Sequence, residues 1–111
     1  MIHSVRFTCV LDTNVIHPVN IRDLLLWFAH YELFTVKWSK DICTEWIRVM
    51  RTKGIAQPEI DKRIQRMSDA FPDALVENYE SLITGLALPD ADDRHVLAAA
   101  IKANANLIVT N

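Results

Sequence analysis

The chain has 111 residues, a net charge of −2, half of its residues hydrophobic and only two glycines. That composition suits one globular domain over residues 1–111 and excludes a disordered, fibrous or collagen-like chain. The longest strongly apolar run, Leu24 to Ala29, is far too short to span a bilayer, and no basic segment followed by a long apolar one opens the chain, so the expectation is a soluble cytoplasmic protein with no membrane partner.

Residues Ser4 to Leu11 alternate, with Val5, Phe7, Cys9 and Leu11 on one face and Thr8 and Val10 on the other, a pattern that predicts a central strand. The chain then turns through Asp12, Thr13 and Asn14. After Pro18 a helix is expected from about Ile21 to Tyr31, with Leu24, Leu25, Trp27 and Phe28 packing inward. Leu33 to Trp38 reads as a second strand. Ser39 is the expected N-cap of a helix from Lys40 to about Lys53, ended by Gly54. Pro58 opens the next helix, which carries Ile60, Ile64 and Met67 inward and stops before Pro72. Ala74 to Glu77 reads as a short strand, and Tyr79 to Leu86 as a helical turn or loop. Asp90 starts a helix to about Asn104, and Leu107 to Thr110 is a further strand.

Strands alternating with helices imply a three-layer α/β/α architecture around a central parallel sheet. The chain stops at Thr110-Asn111, directly after a strand, where a doubly wound domain would continue. The expectation is therefore a domain incomplete at its C-terminal end, without a final strand and helix. Cys9 and Cys43 lack metal-ligand spacing and are expected to be reduced core thiols.

Four acids carry the chemistry. Asp12 ends the first strand, Glu45 lies on the helix after the second, and Asp90 and Asp93 open the helix before the last strand. Open α/β sheets bring such positions together at their carboxyl edge. Converging carboxylates repel unless they share cations, so the pattern points to a divalent-metal site and to metal-assisted phosphodiester hydrolysis. Each acid also has a plainer explanation. Asp12 could be a turn residue. Glu45 could pair with Arg48, although it borders the buried stripe of Ile42, Trp46, Val49 and Met50. Asp90 could be an N-cap with Asp93 at N3, since the helix dipole favours acids in a first turn. Asp93 falls in phase with Val96, Leu97 and Ala100, so it is expected along the core-facing stripe, where an unpaired charge is costly.

His3, His17, His30 and His95 show no ligand spacing, and His95 is expected to point away from Asp93. Trp27, Trp38 and Trp46 read as core or interface residues rather than stacking platforms. No P-loop, dinucleotide-binding glycine pattern or nucleophile elbow is present. The overall charge argues against a general nucleic-acid coat. The basic stretch from Arg48 to Arg66 could hold phosphates, and it reads equally as a solvated helix face.

LDTNV, SKDICTEW and DADDRHVLAAAI followed by ANLIVTN resemble, in order, the three motifs of PIN-domain nucleases. By that resemblance Asp12, Glu45 and Asp93 match the catalytic, metal-binding acids and Asp90 is an auxiliary or a cap. Thr13 or Asn14 matches the polar residue that supports the first acid, and Thr110 and Asn111 match the polar end of the later strand. The family usually carries a further acid at or beyond that point, and this sequence ends first. The resemblance implies an endoribonuclease that uses Mg²⁺ or Mn²⁺ to hydrolyse RNA. It is similar to VapC-type toxins of toxin–antitoxin pairs, which implies an antitoxin partner and a homodimer. The main rival is a PIN-fold module that binds RNA or protein without cutting. A phosphotransfer domain with a phospho-accepting Asp12 lacks its acid pair and its lysine.

Overall fold

A computed structural model describes residues 7–86 and 93–110. Strand β1 (Phe7–Leu11) leads into a short helix α1 (Thr13–Ile16) and then α2 (Val19–His30). Strand β2 (Phe34–Ser39) is followed by α3 (Lys40–Thr52) and α4 (Gln57–Ala70). Next come β3 (Leu75–Val76), α5 (Glu80–Ile83), α6 (Arg94–Lys102) and β4 (Leu107–Val109). The four strands form an all-parallel sheet in the order β3-β2-β1-β4.

That order follows from the connections. The chain steps from β1 to β2 to β3 in one direction, through α2 and then α3 and α4, and crosses back through α5 and α6 to reach the far side of β1. Right-handed crossovers place these two sets of helices on opposite faces of the sheet, which gives three α/β/α layers. One apolar cluster joins the strands to both sets of helices, to Ile42, Trp46, Met50 and Ile60 on one side and to Val96 and Ala100 of α6 on the other, while a second joins Val76 and Tyr79 to Ala98 and Ala99 of α6. Val10 and Leu11 point to opposite faces and both are fully buried, as a covered central strand requires. Between β2 and β4 the direction of winding reverses. The crevice beyond the carboxyl ends of β1 and β4 is thus the topological switch point, where open α/β sheets bind their ligands.

Helix α3 begins and ends where the residues expected at its boundaries stand. Ser39 Oγ accepts a hydrogen bond from the Ile42 amide at 3.2 Å, and Gly54 takes a left-handed φ of 81° just beyond the C-terminus. Tyr79 Oη donates to Asp41 Oδ2 at 2.6 Å, which ties α5 to the first turn of α3. Because Ser39 is fully buried and its oxygen serves a helix donor, Ser39→Ala is expected to cost about 1 kcal/mol. Urea unfolding checks this: the midpoint should fall with an unchanged slope, and an unchanged midpoint would contradict the cap.

Three expectations need correction. The inward residues of α2 are Leu25, Leu26 and Ala29, whereas Leu24, Trp27 and Phe28 are exposed, Trp27 at 56%. Five consecutive large apolar residues give a helix no single apolar stripe, so their spacing cannot select the buried face. The turn after Asp12 is itself helical, in α1. Asp93 lies outside the core: it is exposed, one residue before α6, and makes no capping hydrogen bond. The helical phase that links it to Val96 and Ala100 was carried one position beyond the regular helix. The expected helix start at Asp90 falls outside the described residues, as does Asn111. Cys9 and Cys43 are free thiols, and burial pushes the Cys43 thiol up to about 11. Among the described residues, no helix is long and apolar enough to cross a membrane.

Candidate functional site at the sheet switch point

Asp12 leaves the end of β1 in an extended conformation, and its amide donates to the Val109 carbonyl of β4 at 3.1 Å. This bond fixes the backbone of Asp12 against the neighbouring strand. Its side chain is held on both oxygens. Oδ1 accepts from the Thr13 amide at 2.7 Å, and Oδ2 accepts from Thr110 Oγ1 at 3.1 Å. Thr110 in turn accepts from Asn14 Nδ2 at 3.2 Å. Asn14, Thr110 and Asp12 thus form a short relay across the ends of β1 and β4.

Glu45 reaches the same place from α3. It stands one residue before fully buried Trp46, so the helix must present it at the edge of the packed face. Thr13 Oγ1 lies 2.9 Å from Glu45 Oε2 and 3.2 Å from the Ile42 carbonyl. One hydroxyl proton serves two acceptors there, and the buried threonine joins α1 to α3. His95 Nε2 meets Glu45 Oε1 at 2.5 Å. His95, for which no role at the site was expected, thus touches one of the acids. The only sequence signal for it was a histidine in the first turn of a helix that starts at the carboxyl edge. The contact spans 50 positions, which no local spacing reveals.

Asp12, Thr13, Asn14, Glu45 and Asp93 all line one open cavity of about 370 Å³, together with His17, Pro18 and Val49. Asp93 enters from the start of α6. Asp12, Glu45 and Asp93, remote in sequence, thus share one space, whereas Asp90 lies outside the described residues. Burial, and then the charges of Lys53, Arg22 and Arg63, hold the His17 imidazole below its ordinary value. The acidic cavity therefore has a cationic flank. Arg22 is fixed there by donating to the Ile16 and His17 carbonyls at 3.1 and 3.3 Å, with its guanidinium over the Trp46 ring.

No basic residue of the stretch from Arg48 to Arg66 lines the cavity. Arg51 donates to Gln57, and Arg63 pairs with Glu59. Arg48 is exposed on α3.

The lining tests the fit of a metal. Carboxylate and hydroxyl oxygens are the hard donors that Mg²⁺ and Mn²⁺ prefer, so the chemistry of the set fits. Among the described residues, however, no three His, Cys, Asp or Glu side chains stand close enough together to grip an ion. The cavity is a site by its lining and not a formed ligand shell.

The family model described as PIN domain matches residues 8–111. No curated protein matches the chain, and no solved structure does.

Proposed function

Because the chain belongs to the PIN-domain family, whose members are in general nucleases, we propose that it is a metal-dependent endoribonuclease with Asp12, Glu45 and Asp93 as its working acids. The observation that supports this most is that Asp12, Glu45 and Asp93 all line one cavity at the switch point of the sheet.

Asp12, Glu45 and Asp93 would hold Mg²⁺ or Mn²⁺, directly or through water. An ion held there would supply Lewis acidity at the phosphoryl group and would lower the pKa of an attacking water. The chain's own residues prepare that chemistry. Thr110, backed by Asn14, orients the Asp12 carboxylate, and Thr13 orients Glu45. A cavity lined by three acids repels a phosphodiester, and the nearby charges of Arg22, Lys53 and Arg63 oppose that repulsion at one flank. RNA, rather than DNA, is the substrate implied by the resemblance to PIN ribonucleases. The same resemblance extends the proposal to a toxin held in check by an antitoxin, or to a homodimer. The exposed Leu24, Trp27, Phe28 and Tyr31 of the α2 region support a protein partner.

Chelation tests the metal directly. Cleavage of single-stranded RNA is expected to stop in EDTA and to return with excess Mn²⁺. Cleavage that continues unchanged in EDTA would refute the metal role. A protein that binds RNA and never cuts it under either condition is a binding module instead.

A further inference from the structure

His95 stands outside the set of acids, yet it makes a close side-chain contact in the cavity region. Its ring is largely buried, with 13% of its side-chain surface exposed, and it reaches Glu45 Oε1 from α6. The helix behind it is immobilised by Val96, Ala98, Ala99 and Ala100, all buried. The Glu45 side chain is 30% exposed and has three rotatable bonds, so without partners it would sample several rotamers at the cavity rim. Two groups from two different elements remove that freedom. Thr13 Oγ1 of α1 lies on Oε2, and His95 Nε2 of α6 lies on Oε1. A carboxylate contacted at both oxygens has its plane fixed as well as its position.

The ring chemistry gives the direction of the bond. His95 Nδ1 is buried and has no hydrogen-bond partner among the described residues. A proton there would have no acceptor among the described residues, whereas a proton on Nε2 faces a carboxylate. The tautomer that suits both nitrogens carries its proton on Nε2 and donates it to Glu45. The same first turn of α6 that brings Asp93 to the cavity therefore also brings the donor that orients Glu45.

We infer that His95 is a positioning residue, which fixes the Glu45 carboxylate for cation binding by a hydrogen bond from Nε2. The inference rests on the reading of Glu45 as a metal-binding acid. Partners that orient metal-binding side chains typically change affinity by about 10- to 100-fold when removed.

The test uses the full chain as wild type, His95→Ala and His95→Gln. Mn²⁺ affinity is read by calorimetry, RNA cleavage by kcat and KM, and folding by thermal unfolding. His95→Ala is expected to weaken Mn²⁺ binding about tenfold or more and to lower kcat, with KM for RNA little changed. His95→Gln, whose amide can donate to the same oxygen, should recover most of both. A folded His95→Ala protein with Mn²⁺ affinity and kcat within about twofold of wild type overturns the inference. So does a loss of thermal stability shared by both variants with no change in Mn²⁺ affinity.

Nitrogen NMR of the imidazole separates this inference from the nuclease reading and needs no variant at position 95. In the wild type the ring should hold one tautomer, protonated on Nε2, and Glu45→Ala should release it into a mixture. If wild-type protein binds no Mn²⁺, the metal reading of the cavity fails, and with it the cation-binding role of His95. The tautomer result then still decides whether His95 fixes Glu45. A mixed tautomer in the wild type, unaltered by Glu45→Ala, overturns that contact too.

Discussion

On the proposed function, Asp12→Asn is expected to reduce Mn²⁺-dependent cleavage of single-stranded RNA by about a hundredfold or more, because it removes a negative charge from one of the acids proposed to hold the cation. The fold should survive. Asn keeps an oxygen that can accept from the Thr13 amide at the Oδ1 position, and the backbone bond from residue 12 to Val109 does not involve the side chain. Metal-free stability should be unchanged or slightly higher, since one of several converging charges is gone. Asp93→Asn should lose activity similarly, and with even less structural consequence, because Asp93 is exposed and caps nothing with its side chain. Circular dichroism and thermal unfolding check the fold, and a cleavage time course checks the activity. Wild-type cleavage by both folded variants would remove these acids from the chemistry.

Trp46→Ala carries the largest expected effect on stability. Trp46 is 1% exposed and packs between α3 and the rest of the main core, beneath the Arg22 guanidinium at 5.2 Å. Truncating a buried tryptophan to alanine costs about 3–5 kcal/mol, a large share of the roughly 5–15 kcal/mol that a domain possesses. The variant should melt much earlier or fail to fold. Glu45 is its immediate neighbour and is aimed by the same helical turn, so the site should be lost with the core. Trp27→Ala is the control. Trp27 is 56% exposed, and its removal should change stability by less than about 0.5 kcal/mol. Equal losses in the two variants, measured by chemical denaturation, would contradict this packing.

How much of this was legible in the sequence depended on how local each signal was. Helix α3 was readable end to end, because Ser39, the stripe of Ile42, Trp46 and Met50, and Gly54 each act within a few residues. Strand β1 was readable from its β-branched and apolar run, and the sheet position of Asp12 followed from it. The orientation of α2 was not readable, because a helix with apolar residues on several sides is turned by tertiary packing rather than by its own pattern. Helix α1, at four residues, is too short to show a period. Asp93 was misread for a related reason. Periodicity describes residues inside a regular helix and has no authority over the residue that precedes it.

The site divided along the same line. The order of the acids and their places at element ends could be read from residues and from the resemblance they carry. The hydrogen bonds that hold them could not. Thr13 to Glu45, Thr110 to Asp12 and His95 to Glu45 link positions 32, 98 and 50 residues apart. These contacts exist only because the sheet order sets β1 between β2 and β4. Sequence chemistry named the acids, and topology supplied the groups that orient them.

Calorimetric titration of the metal-free protein with Mn²⁺, run in parallel on wild type and Glu45→Gln, tests the cavity most directly. Glu45→Gln keeps the length of the side chain and an oxygen for Thr13 or His95 while removing its charge. Saturable binding in the wild type that is strongly weakened in Glu45→Gln is the expected result. Absence of binding in the wild type, or equal binding by both proteins, would contradict a metal site formed by these carboxylates.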